Sequence, residues 1–111
     1  MEIEKLTIGE ARQIAALFGN RTQDDSHWRI GGKYFIRTVT HHLTGRLLTV
    51  TPQELVVDKA AWIADDGRFA EAVKSSTFSE VEPFPADSKV IIGRGSLIDA
   101  TEINELPLSQ K

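Results

Sequence analysis

Leu43-Thr44-Gly45-Arg46-Leu47, then Thr51-Pro52-Gln53-Glu54, then Leu55-Val56-Val57-Asp58 are the stretches that decide how this chain folds. Side chains alternate along a strand, so Leu43, Gly45 and Leu47 share one face, and Leu55 and Val57 share a face of the next. Proline at 52 pre-sets a turn and could not donate within a central strand. Two strands joined by a turn at 51–54 follow. A glycine inside a strand marks a sharp bend or a close backbone approach, and closing a small barrel needs such bends.

Strand character extends on both sides. Residues 34–39 are β-branched and aromatic, as a half-buried pleated surface requires. The strand from Leu55 continues to Ile63 and stops at the turn signal Asp65-Asp66-Gly67. Phe69, Ala72 and Val73 have helical spacing, which predicts a short helix over 68–74. Residues 81–85 are expected to be extended, because the residue before each proline is pushed out of the helical region. Two closing strands, 89–92 and 96–101, flank Gly93-Arg94-Gly95. Near the start, Thr7 and Glu10 have capping-box spacing, and Ala11, Ile14, Ala15 and Phe18 form one apolar stripe. Gly19 and Asn20 suit a left-handed cap, so a helix is predicted over 7–19.

One helix followed by about five short strands predicts a mainly β fold, a small five-stranded barrel of SH3-like type. It is expected as a single domain over 1–111, with a helical insertion at about 65–87 and a frayed tail at about 105–111. The chain has 111 residues, 41% hydrophobic and 26% charged, which suits one globular core. It has no cysteine, which excludes disulfides, thiolate catalysis and cysteine-ligated zinc. A net charge of −3 disfavours a broad footprint on duplex DNA. The charged start, Met1-Glu2-Ile3-Glu4-Lys5, is unlike a signal peptide, and no run reaches the roughly eighteen apolar residues that span a bilayer. No membrane association is expected, and a cytoplasmic location is.

Residues 43–47 and 55–58 resemble the first Sm motif, in which a glycine bends the second strand and an apolar trio leads the third. Ile91-Ile92-Gly93-Arg94-Gly95-Ser96-Leu97-Ile98 resembles the second Sm motif, apolar residues near an Arg-Gly followed by an apolar strand. The likeness covers about residues 7–60 and 88–103. With Ala61-Trp62-Ile63-Ala64-Asp65 and Glu80-Val81-Glu82-Pro83-Phe84, the chain also resembles uncharacterised phage-encoded small proteins, which implies the host cytoplasm as compartment. The Sm resemblance implies an Sm-like barrel and a homo-oligomeric ring made by pairing the last two strands between neighbours. Val90, Ile91, Ile92, Leu97 and Ile98 would form that interface. It also implies a single-stranded RNA site at the pore, here made by Thr51, Gln53, Glu54, Arg94 and Gly95. Arg94 and Gly95 keep the family's pattern. Thr51 and Glu54 stand where the family has its uracil-reading Asp and Asn, and a carboxylate at 54 opposes a phosphate backbone.

Other readings compete at each position. Gly93-Arg94-Gly95 is also a good turn without any ligand. His41 and His42 are adjacent on a strand and point to opposite faces, so no shared metal is expected. Asp24-Asp25 and Asp65-Asp66 suit solvated turns rather than an acid–base pair. Trp28 and Trp62 could stack bases but fit a core or a subunit interface better. There is no nucleophile elbow and no phosphate-cradling glycine loop. No catalytic residue, metal or cofactor is therefore expected. The alternative to an RNA-contacting ring is a scaffold that assembles through strand edges and binds a protein partner.

Overall fold

Residues 27–111 are described in the computed structural model of the chain, so the helix predicted over 7–19 lies outside the described residues. The elements are β1 (Lys33–Thr38), β2 (His42–Val50), β3 (Glu54–Asp65), α1 (Phe69–Ser75), β4 (Glu80–Pro83), β5 (Val90–Gly93) and β6 (Leu97–Glu102). A single turn of 3-10 helix, Arg94–Ser96, joins the last two strands. The sheet runs β4-β3-β2-β1-β6, with β5 also on β3, and every pairing is antiparallel.

β3 is long enough to hold two partners on one side. Its first half, from Glu54 to Val57, pairs β5, and its second half, from Ala61 to Asp65, pairs β4. β4 and β5 are thus two pieces of a single edge strand. Pro83 and Pro85 explain the break, since neither can donate to a ladder. This is why six strands occupy a barrel for which five were expected.

The bend at Gly45 has a definite geometry. A Cβ built there would lie 2.7 Å from Val57 Cγ2 and 2.8 Å from Val57 Cβ. Beside it, Arg46 faces Asp58 while Thr44 faces Ala61, so β3 spends one residue more than β2 on this interval. Lys59 absorbs that residue in the left-handed region at φ 48. The bulge resets the alternation of β3. Leu55, Val57 and Ala60 join the barrel interior with Tyr34, Ile36, Leu43, Leu47 and Ile92. Ala61 and Ile63 face the other way, into a second core with Phe35, Ala72, Phe78, Val81 and Ile103.

The inserted segment is therefore structural. α1 seals the outer face of the sheet through Ala72, and Phe78 and Val81 are fully buried beneath it. Burying a side chain of this size contributes about 1.5–3 kcal/mol. The tail expected to fray is instead anchored. Leu106 packs against the second core, and Lys111 exchanges backbone hydrogen bonds of 2.9 and 3.0 Å with Val81. The outer edge of β4 is covered in this way.

Candidate functional site

Two turns that lie some forty residues apart meet at one end of the barrel. In the first, Thr51 Oγ1 accepts from the backbone N–H of Glu54 at 3.0 Å and of Gln53 at 3.3 Å. Thr51 N in turn donates to Glu54 O at 2.9 Å. A side-chain oxygen that mimics a backbone turn is the reason a threonine serves here. The second turn docks on the first. Arg94 N donates to Gln53 O and Arg94 Nη1 donates to Thr51 O, both at 2.9 Å. Glu54 and Gly93 are paired across the ladder.

Thr51, Gln53, Glu54, Arg94 and Gly95, picked from two separate motifs, are thus brought together. Gln53 and Gly95 are exposed, while Thr51, Glu54 and Arg94 are half-buried. The patch offers a guanidinium and an amide beside a carboxylate, so it suits planar polar contact more than a run of phosphates. A Cβ at Gly95 would meet nothing within 4 Å, so a single copy's packing does not require glycine there.

The predicted interface residues divide by direction. Ile92 belongs to the barrel's own core, and Val90 and Leu97 pack against that core. Ile91 and Ile98 point outward, 64% and 58% exposed. Among the described residues β5 is paired only with β3 and β6 only with β1, so each has an open outer edge.

Sequence reasoning missed two cross-strand ion pairs and one histidine–carboxylate contact. Arg46 and Asp58, opposite each other on β2 and β3, make a bidentate pair at 2.9 and 2.6 Å. Arg37 and Asp99 do the same between β1 and β6, where Arg37 Nε donates to Asp99 Oδ1 at 2.8 Å and Nη2 to Oδ2. The hydrogen-bonded guanidinium holds the Asp58 carboxyl, and likewise that of Asp99, below the usual carboxylate range. The Arg37 guanidinium also lies 4.7 Å from the Phe69 ring centroid, tying α1 to the sheet. Third, His42 Nδ1 lies 2.8 and 2.9 Å from the two Asp66 carboxylate oxygens. Asp66 is thus a half-buried partner rather than a solvated turn residue. Asp65 fits the turn reading, accepting from Gly67 N at 2.9 Å. His41 is exposed and bonds Thr40 Oγ1 at 2.9 Å, away from the partner of His42. Only register reveals these pairs.

The tryptophans also divide. Trp28 packs on the barrel core and lies 5.3 Å from the Tyr34 ring, centroid to centroid. Trp62 is 44% exposed, so it is not a core residue.

The strand order, the glycine bend and the docked turns define the fold as an Sm-type barrel. Two solved structures match it. One is a heptameric archaeal Sm protein, described with reference to the eukaryotic snRNP core, at TM-score 0.50 and 14% identity over 77% of this chain and 98% of its own. The other is the SmAP1 heptamer of P. aerophilum, at TM-score 0.51 and 15% identity over 78% of this chain and 93% of its own. No protein-family model and no curated protein matches the sequence.

Proposed function

We propose that this chain assembles as a homo-oligomeric ring, the β5 edge of one copy pairing with the β6 edge of the next. The observation that carries this reading is the pair of open edges, each bearing an exposed isoleucine. Unpaired backbone groups on an edge template association, and a head-to-tail contact closes into a ring when its rotation permits. The tail supports the same reading, because among the described residues it pairs with β4 at Val81 and leaves β5 open. Both structural neighbours are heptamers. Multi-angle light scattering on the purified chain tests it: a ring gives a mass several times 12.3 kDa. A strict monomer at high concentration refutes it.

On this reading the 51–54 and 94–95 turns of all copies line one face of the ring. Weak single-stranded RNA contact there rests on Arg94 and Gln53, with Glu54 disfavouring the backbone. Such a chain, if phage-encoded, works in the host cytoplasm. Anisotropy titration with oligo-U and oligo-A at low salt is the test. Binding that Arg94→Ala removes supports the contact, and no affinity in the native ring leaves a protein-binding scaffold. That second reading is favoured by the exposed Trp62 and Phe84.

A further inference from the structure

The end of the sheet opposite the 51–54 turn carries a groove away from the Ile91 and Ile98 edges. Trp62 is the cross-strand partner of both Leu43 and Glu82. Directly opposite strand residues share a face, so Trp62 continues the barrel's inner face beyond its last buried residue. Leu43 is buried there, whereas Trp62 is 44% exposed. Phe84 follows Glu82 at strand spacing and is itself exposed, with its backbone N–H bonded to Ala60 O at 2.9 Å. Trp62, Phe84, Pro83, Pro85, His41 and Glu82 line an open groove of about 480 Å³. A second hollow of about 430 Å³ shares Trp62 and His41 and runs on to Asp65 and Asp66. Trp62 borders both an apolar half and a polar half, the latter lined by His42 as well as by the two carboxylates.

Each half selects a chemistry. Rigid rings and prolines bind other prolines and aliphatic groups with little loss of rotamer freedom, and a polyproline segment arrives already extended. The carboxylates of the polar half select a cation, which can also lie over the indole face. Asp66 is engaged by His42, Glu82 accepts from Gln110 Nε2 at 3.3 Å, and Asp65 gives one oxygen to Gly67 N. Asp65 is exposed and lines this hollow, so its carboxylate supplies the charge that a cation would meet. Phosphate-bearing ligands are repelled by the same groups, as is any acidic segment. The geometry points to a docking site for a proline-rich segment of a partner protein that carries an Arg or Lys beside its prolines. The prolines lie on Trp62 and Phe84, and the cation lies toward Asp65.

The probe is a fluorescein-labelled peptide, Pro-Pro-Leu-Pro-Pro-Arg, titrated by anisotropy against the full chain, with Pro-Pro-Leu-Pro-Pro-Glu as control. Saturable binding of the first peptide is expected, with the control weaker by roughly tenfold. Trp62→Ala should weaken binding by about tenfold or more, and Asp65→Asn by a few-fold. Phe84→Ala serves if Trp62→Ala shows a disturbed circular dichroism spectrum. No saturable binding to the native chain, equal affinity for both peptides, or native affinity in a folded variant of Trp62 or Phe84 overturns the assignment. So does a change of copy number on Trp62→Ala, which would make the groove a contact between copies. Ring formation is read separately by light scattering, so failure of one does not count against the other.

Discussion

Gly45→Ala is the substitution that most directly tests the bend. The added methyl would sit 2.7 Å from Val57 Cγ2, 2.8 Å from Val57 Cβ and 3.4 Å from Asp58 O. Ordinary carbon contacts lie at about 3.5–4.0 Å, so the two strands must separate by nearly 1 Å at this point. Val57 is fully buried and its Cβ is fixed to the backbone, so no rotamer change relieves the contact. Overpacking of this kind costs about 1–3 kcal/mol, offset by about 0.4–1 kcal/mol because alanine restricts the unfolded chain. A net loss of about 1–2 kcal/mol follows, a fall in Tm on the order of 10 °C for a domain of this size. Gly93→Ala is the control, since a Cβ there meets nothing within 4 Å and the residue sits at φ −69. That variant should be neutral or slightly stabilised. Differential scanning calorimetry of both decides the matter. Equal melting temperatures for Gly45→Ala and the native chain would refute the close approach as the reason for the glycine.

Three further outcomes are expected. Thr44→Val should raise stability by about 1 kcal/mol in urea unfolding, because Thr44 Oγ1 is fully buried and makes no hydrogen bond among the described residues; an unchanged or lower midpoint contradicts this. Asp58 and Asp99 have folded pKa values below the unfolded value of about 3.9, so their stabilising effect is present above that pH and is lost as pH falls through the folded values. Unfolding midpoints should therefore decline below about pH 4, and Asp58→Asn should flatten the decline; an unaltered slope in that variant rules out its share. On the proposed ring, replacing Ile91 or Ile98 by Asp forfeits about 1–2 kcal/mol of apolar burial per interface and places a charge on the pairing edge. Light scattering should then show smaller species with an unchanged circular dichroism spectrum, and an intact ring would remove these side chains from the contact.

The sequence alone determined the short-range features. Alternation at 43–47 and 55–58, the proline turn at 51–54 and the spacing around Phe69 lie within a few residues of each other, where chain stereochemistry decides the outcome. Sequence reading placed β1, β3, α1 and the closing strands within one or two residues and marked β2 around Gly45. The tertiary structure decided what depends on long-range register. The left-handed Lys59 shifts the alternation of β3, which creates a second core that no fixed period could have located. Pairing across the sheet brings Arg94 onto Thr51, Arg37 onto Asp99 and Lys111 onto Val81. The same register turns Ile92 inward and leaves Ile91, Ile98 and Trp62 at the surface. The residue types on these strands were therefore visible from the start, but the direction each one faces is a property of the paired sheet.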